Sequence, residues 1–328
     1  MLDAPPLAFE AEQIKTTFPW SLVFRVTLRS QGHSAQNSIV VKAIDPHGPA
    51  DPREGEREFR FYQSIYPGLP QPKPDLQALS IDNETGWYVI ILEDLSSSYR
   101  VPQHPYQWSR TEMQSVLRAY AALHSASILP PDSDRQWLNP RHESQLDFDL
   151  IPEQVDTVQR LGIWAALPGL SDLIAYAKQT CQKYAELPVA LLHNDTTPTN
   201  APLPRELESQ PALLIDWQDA GIGMPEMDLA YMDLQPFRSG RLIARDELLS
   251  IYWQLRGCLP GDIPSARERA LRQLHADLIM ALWLTRPASR VALHPYPEGT
   301  YPRMHWDSHF GIIYDRLREL AGEIGRLA

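Results

Sequence analysis

Runs of β-branched and apolar residues alternate with polar stretches along the first hundred positions. SLVFRVTL (21–28) and SIVVKAI (38–44) are separated by RSQGHSAQN, which predicts two strands joined by a hairpin connection. Two more strands are predicted near LQALSID and in GWYVIILEDL (86–95). Between these pairs, DPREGEREFRFYQSIY opens with Asp-Pro and carries acids in its first turn, which predicts a helix. This part of the chain is therefore expected to form a small sheet with one helix.

The apolar spacing changes to a helical period after the polar connector SSSYRVPQHPYQ. SRTEMQSVLRAYAALHSASI begins with Ser109 and Glu112 in capping-box spacing and then places its apolar residues on one helical face. We predict an α+β protein with a small antiparallel β lobe at residues 1–95 and a larger, mainly helical lobe at residues 96–328. A cleft between two such lobes is a natural ligand site. Further helices are predicted around 168–186, 243–256, 264–286 and 308–327.

Charge and cysteine content narrow the function classes that remain. The formal net charge of −11 argues against a nucleic-acid partner. No apolar run approaches the roughly 20 residues of a membrane span, and the first residues lack the features of a secretory signal. Because no membrane span is predicted, we expect no membrane partner. Cys181 and Cys258 have no CxxC context, so we expect reduced thiols and a cytoplasmic location. We further expect a monomer or a weak homodimer.

Five polar side chains stand out against apolar surroundings. HNDTTPTN follows the apolar run VALL and places Asn200 five positions after Asp195. ALLIDWQDAGIG carries Asp216 from another predicted strand into a loop that contains glycine. Lys42 lies inside the apolar strand IVVKAI, and Glu58 is on the inward face of the predicted helix that follows. Phosphoryl transfer from a nucleotide needs a lysine, a glutamate that holds it, metal-binding Asp and Asn side chains, and a second Asp.

These motifs resemble those of the aminoglycoside phosphotransferase and choline kinase group, the small-molecule branch of the protein-kinase-like fold. The resemblance covers roughly residues 15–235. HNDTTPTN is similar to the catalytic loop of the group, and IDWQDAGIGMPEMDLAY is similar to its metal-binding segment. EREFRFYQSI, VIILEDL and AYAALHSAS resemble the lobe helix, the hinge and the helix beneath the cleft. The resemblance implies a two-lobed, protein-kinase-like fold.

The resemblance also implies roles for the residues of the catalytic loop and the metal-binding segment. Asp195 would be the catalytic carboxylate, and Asn200 and Asp216 would be the ligands of Mg²⁺. His193 is interpreted as a buried support rather than a base. Asp228, in MDLAY, would be structural and would tie its own loop to the catalytic loop.

Nucleotide binding is implied for the first lobe. Lys42 and Glu58 would anchor the phosphates of ATP or GTP, and the backbone around Glu93 and Leu95 would bind the adenine. The loop expected to cover the phosphates, TTFPWSLVF, contains no glycine, which leaves less room for the backbone to approach them.

The resulting interpretation is a small-molecule kinase that phosphorylates a hydroxyl group. A pseudoenzyme that binds nucleotide or ligand without turnover is the alternative, and the glycine-free loop is its support. A protein kinase is disfavoured because DWQDAGIGMPEMDLA is too compact for a long activation segment. His305 and His309 lack the glutamate of a zinc-binding H-E-x-x-H motif. The stretch from Glu206 to Phe237 is rich in acids and lacks Lys and Arg, which predicts a cationic acceptor such as an amino sugar or amino alcohol.

Overall fold

The computed structural model of the chain has an α+β architecture in which an antiparallel sheet precedes a series of helices. The residues that it describes are 8–18, 20–29, 37–48, 53–70, 72–102, 108–126, 128–129, 131, 136–140, 142–206, 210–235, 243–259, 263–296 and 301–327.

The sheet has five strands in the order β1-β2-β3-β5-β4, and every neighbouring pair is antiparallel. The four strands predicted from the sequence are present. The first strand was not predicted, because its residues 9–14 are all exposed and show no apolar face. The strands are β1 (Ala8–Phe18), β2 (Ser21–Arg29), β3 (Asn37–Ile44), β4 (Leu76–Ile81) and β5 (Tyr88–Glu93).

Helix α1 (Arg53–Ser64) packs between the sheet and the loop that follows the predicted metal-binding Asp216. Its buried face includes Phe61 and Tyr62, and the Phe61 ring is stacked on Trp217 with centroids 4.3 Å apart. Burial of the Phe61 and Trp217 rings stabilises this contact by about 2–3 kcal/mol per ring. Helix α1 is therefore the element that joins the sheet to the second half of the chain.

Helix α2 (Arg110–Ser125) begins with the predicted capping box. Glu112 N donates to Ser109 Oγ at 3.3 Å, and Ser109 N donates to the Glu112 carboxylate at 2.6 Å. The remaining helices are α3 (His142–Gln145), α4 (Ile151–Arg160), α5 (Leu170–Tyr184), α6 (Glu226–Leu234), α7 (Arg245–Gly257), α8 (Ala266–Trp283), α9 (Thr285–Leu293) and α10 (Tyr301–Leu327). The short strands are β6 (Tyr99–Arg100), β7 (Ala190–Leu192), β8 (Leu203–Pro204) and β9 (Gly221–Gly223). Among the described residues, no helix is both long enough and apolar enough to span a membrane.

Two predicted elements differ in the structure from what the sequence indicated. The single helix expected over 264–286 ends at Trp283, and a second helix starts at Thr285. Pro287 lacks an N–H, and its ring would clash with the carbonyl four residues earlier, so α8 cannot continue through it. The strand expected before Asp216 is an extended segment with only two backbone bonds to its neighbour, Leu213 N to Pro202 O at 2.9 Å and Ile215 N to Asn200 O at 3.1 Å.

Two clusters of buried side chains form the core, and strand β7 lies between them. Leu191 belongs to the cluster that contains α1, α2 and α7, whereas Leu192 belongs to the cluster that contains α4, α5, α6, α8 and α10. Because successive side chains of a strand point in opposite directions, β7 is held on both faces. The loop that follows β7 therefore starts from a rigid support.

Candidate active site

The catalytic loop predicted from HNDTTPTN begins where β7 ends. Asn194 has a φ of 63°, a left-handed conformation that Asn tolerates better than most residues. Its Nδ2 donates to the Asp219 carbonyl at 2.9 Å. Gly221, opposite Leu192 in β9, leaves room for this side chain, because a Cβ at position 221 would lie 2.5 Å from Asn194 Nδ2. This turn places Asp195 directly after the strand.

Asp228 is hydrogen-bonded to the backbone of the same loop. Its carboxylate accepts hydrogen bonds from His193 N at 2.9 Å and from Asn194 N at 2.8 Å. Burial would raise the pKa of Asp228, but the hydrogen bond from His124 and the backbone donors lower it below its usual range. Asp228 is therefore ionised and anchors the loop through these hydrogen bonds, which is the structural role inferred from the sequence.

His193 is fully buried and bonded at both ring nitrogens. Its Nε2 lies 2.9 Å from the Ile215 carbonyl and donates to it, and its Nδ1 accepts from Asp195 N at 3.3 Å. Burial lowers the pKa of His193, which keeps the ring neutral. The ring also packs against Trp217, with centroids 4.6 Å apart. Through these contacts His193 connects the predicted catalytic loop to the segment that is predicted to bind the metal.

Asp195 and Asn200 meet across the turn that separates them. Asn200 Nδ2 donates to Asp195 Oδ2 at 2.6 Å. Asn200 is only 3 % exposed, and its Oδ1 is buried without a hydrogen-bond partner among the described residues. Such an oxygen is a good ligand for a hard cation such as Mg²⁺. The backbone bond from Ile215 N to Asn200 O brings the following residue, Asp216, to the same place.

Lys42, Glu58 and Asp216 come together from three separate elements. Lys42 Nζ, on β3, lies 2.6 Å from the Glu58 carboxylate of α1 and 2.6 Å from Asp216 Oδ1. Burial alone would lower the pKa of Lys42, but Asp216 and Glu58 raise it above its usual value, so the ammonium stays charged. Asp216 adopts a left-handed φ of 68°, which is unusual for an aspartate and indicates a backbone held by its surroundings.

The sequence profile of the phosphotransferase enzyme family (APH) matches residues 18–269, most of the 328-residue chain. The chain belongs to this family. No protein with curated annotation matches the sequence of this phosphotransferase.

Three solved structures show which fold this phosphotransferase shares. A candidate aminoglycoside phosphotransferase from Ralstonia eutropha JMP134 is 19 % identical, with a TM-score of 0.62 over 96 % of this chain and 93 % of its own. A microcompartment-associated aminopropanol kinase is 13 % identical, with a TM-score of 0.61 over 96 % and 94 %. A spectinomycin phosphotransferase solved with ADP and spectinomycin is 13 % identical, with a TM-score of 0.52 over 96 % and 93 %. The phosphotransferase has the protein-kinase-like fold, and its family makes it a small-molecule kinase.

The segment expected to bind adenine in this phosphotransferase is partly bonded within the chain. Glu93 N donates to the Asp75 carbonyl at 2.9 Å, and Ser98 N donates to the Leu95 carbonyl at 3.1 Å. An adenine contact here would therefore use the other backbone groups of Glu93 and Leu95. Most of the glycine-free segment TTFPWSLVF lies in strands β1 and β2, where Phe18 pairs with Ser21, and Pro19 lies outside the described residues.

Two residues of the site were missed by sequence reasoning. Arg57 is 4 % exposed and donates to the carbonyls of Trp137 at 3.1 Å and Gln218 at 2.7 Å, which ties α1 to the metal-binding segment. Asn139 Nδ2 donates to the Asp219 carbonyl at 2.9 Å, the same oxygen that Asn194 uses. Both bind main-chain carbonyls about 80 residues or more away, so no local motif indicates them.

Proposed function

We propose that the chain transfers the γ-phosphoryl group of ATP or GTP to a hydroxyl group of a small molecule, with Mg²⁺. The observation that carries this proposal is the contact of Lys42 Nζ with Glu58 and Asp216, both at 2.6 Å. This contact supports the proposal because a fixed cation lies beside Asp216, the carboxylate that would bind the metal. Residues 1–95 would form the nucleotide-binding lobe, and residues 96–328 would form the catalytic and acceptor lobe.

Each residue contributes position or charge rather than covalent chemistry. Lys42 would bind the α- and β-phosphates, and Glu58 would hold its ammonium in place. Asn200, through Oδ1, and Asp216 would hold Mg²⁺, which spreads the negative charge of the phosphates when it is bound. The pairing of Lys42 with Asp216 therefore has to loosen when the nucleotide arrives.

Asp195 would act on the acceptor. Its carboxylate would orient the attacking hydroxyl and accept its proton, while Asn200 Nδ2 keeps Oδ2 at 2.6 Å. The Asn200 side chain would thereby couple the two halves of the site, because its nitrogen donates to Asp195 and its oxygen would be a ligand of the metal. The ADP complex of the spectinomycin phosphotransferase supports a nucleotide site in this fold, and the backbone of Glu93 and Leu95 would bind the adenine.

We infer a cationic acceptor, an amino sugar or an amino alcohol, from the net charge of −11 and from the aminopropanol kinase and spectinomycin phosphotransferase of similar fold. Two acids of the stretch from Glu206 to Phe237 already have cationic partners, Asp216 with Lys42 and Asp233 with Arg245. The acidic field at the acceptor is therefore smaller than the sequence suggests. Phosphate transfer to a panel of amino sugars, amino alcohols, neutral sugars and amino acids tests this class.

Two substitutions separate catalysis from metal binding. Asp195→Asn keeps the shape of the side chain but loses its charge, so kcat should fall by roughly 10²–10⁴-fold while nucleotide binding survives. Asp216→Ala should weaken Mg²⁺-dependent nucleotide binding as well as turnover. Calorimetric titration with ATP and Mg²⁺, run beside a turnover assay, measures both. Nucleotide binding without turnover in the unmodified protein, on every acceptor of the panel, would instead support a pseudoenzyme.

A further inference from the structure

A chain of three buried side chains leads from helix α7 to the catalytic loop. Tyr252 Oη lies 2.8 Å from His124 Nδ1, and His124 Nε2 lies 3.1 Å from Asp228 Oδ2. Asp228 in turn accepts the backbone N–H groups of His193 and Asn194, the two residues before Asp195. The side chains of His124 and Asp228 are 0 % exposed, and Tyr252 is equally buried.

The direction of each hydrogen bond in this chain is determined by its end at Asp228. An ionised carboxylate can only accept, so the His124 Nε2 must carry the proton that it donates. With a proton on Nε2 alone, Nδ1 is an acceptor for the Tyr252 hydroxyl, which lies 2.8 Å away. Tyr252 thus favours the single His124 tautomer that presents an N–H to Asp228.

We propose that Tyr252 is a positioning residue for Asp195 that acts through His124 and Asp228. This inference rests on the proposed function, in which Asp195 faces the acceptor hydroxyl. Asp228 has several donors to choose from, and without the His124 N–H its two oxygens can rotate away from the loop amides. A shift of the loop by a fraction of an ångström misplaces Asp195 relative to the acceptor, and such shifts are costly for phosphoryl transfer.

Two other described neighbours of His124 do not replace Tyr252 as a partner for the ring Nδ1. From its own helix, the Tyr120 ring lies 5.7 Å away, centroid to centroid. From α7, Arg256 Nη2 is 3.4 Å from the His124 backbone carbonyl rather than from the imidazole. Among the described residues, the Tyr252 hydroxyl is therefore the group that holds the Nδ1 side of the His124 ring, while Asp228 holds the Nε2 side.

The first test compares Tyr252→Phe with Tyr66→Phe. Both substitutions remove one buried hydroxyl, but the Tyr66 hydroxyl donates to the Pro74 carbonyl, away from the catalytic loop. Tyr252→Phe should lower kcat by roughly 2- to 10-fold, the kinetic equivalent of one net hydrogen bond, with an unchanged KM for the nucleotide. Tyr66→Phe should lower the melting temperature similarly and leave kcat unchanged. Equal kcat values for the two variants, or a loss in Tyr252→Phe that appears in KM, would overturn the proposal.

The second test separates the effects of the two hydrogen bonds that the His124 ring makes. A Gln amide reaches the position of the ring Nε2, so His124→Gln retains a donor for Asp228, whereas an Asn amide reaches only the position of Nδ1. His124→Gln should therefore keep more of kcat than His124→Asn. Adding Tyr252→Phe to His124→Gln should not lower kcat further, because the link between Tyr252 and Asp228 through the His124 ring is already lost. Additive losses in that double variant would contradict action through His124.

The third test needs no turnover. Nitrogen-15 spectra should show a proton on His124 Nε2 in the unmodified protein and a changed Nδ1 shift in Tyr252→Phe, where Nδ1 loses its hydroxyl donor. The amides of His193 and Asn194 should exchange with solvent faster in Tyr252→Phe than in Tyr66→Phe. An Nδ1–H tautomer in the unmodified protein, or equal exchange in the two variants, would refute the chain of bonds. A protein without turnover on any acceptor would instead refute the proposed function and leave this result standing.

Discussion

Lys42 is a buried cation between two carboxylates, so its removal should affect stability as well as nucleotide binding. In the structure its Nζ lies 2.6 Å from Glu58 and 2.6 Å from Asp216, and the three side chains are only 12 %, 2 % and 13 % exposed. We therefore expect Lys42→Met, which keeps the aliphatic stem, to leave two carboxylates packed together without their cation.

The magnitude follows from this burial. Removing one partner of a buried ion pair typically costs about 3–5 kcal/mol, whereas an exposed pair is worth about 0–1 kcal/mol. Because Lys42 and Asp216 keep some contact with water, we expect the free energy of unfolding to fall by about 2–4 kcal/mol. Asp219 adds to this cost, since burial and the nearby Asp216 already raise its pKa.

Urea denaturation at neutral pH measures this loss directly. The matched control is Lys178→Met, because Lys178 is 51 % exposed and its Nζ lies 3.5 Å from Asp149, so its loss should cost under about 1 kcal/mol. Lys42→Met combined with Glu58→Gln should be more stable than Lys42→Met alone, since one uncompensated charge is removed. The apparent KM for ATP should rise in both Lys42 variants. A loss no greater than that of Lys178→Met, or no recovery in the double variant, would show that this cluster does not carry the energy assigned to it.

Two further predictions concern pH and packing. Burial, together with His305, lowers the pKa of His309 to about 3, well below the usual value of about 6.5 for histidine. Below about pH 6.5 the unfolded chain binds a proton that the folded chain does not, so the free energy of unfolding should decline as the pH falls towards 3. The melting temperature of His309→Phe should fall less over this range. The melting temperature of His47→Gln, at an exposed position, should follow that of the unmodified protein. A Cβ at position 221 would lie 2.5 Å from Asn194 Nδ2 and 2.9 Å from the Asn139 carbonyl, so Gly221→Ala should cost roughly 1–3 kcal/mol and lower kcat. Gly311→Ala, whose Cβ would meet nothing within 4 Å on α10, should be neutral or stabilising, and a Gly221→Ala variant as active and stable as this control would contradict the steric argument.

The sequence by itself determined the elements whose signals are local. Strands β2, β3, β4 and β5 and helix α2 were predicted because their apolar periods and the Ser109–Glu112 capping box are contained within a few residues. The candidate site residues were predictable for a related reason. Asp195 and Asn200 are five positions apart on one loop, and motifs on single segments indicated Lys42, Glu58 and Asp216. The structure places Lys42 against both carboxylates, but their assigned roles remain predictions until the variants are measured.

Only the tertiary structure decided which distant groups support that site. Arg57 binds carbonyls 80 and 161 positions away, and the bond between Tyr252 and His124 spans 128 positions. A main-chain carbonyl is the same at every residue, so it leaves no trace in the sequence that would indicate its partner. A buried Tyr or His likewise has the same apolar spacing as a simple core residue. Which of them completes a hydrogen-bonded chain depends on how α2, α6 and α7 pack, and that packing is set by the whole core rather than by any one segment.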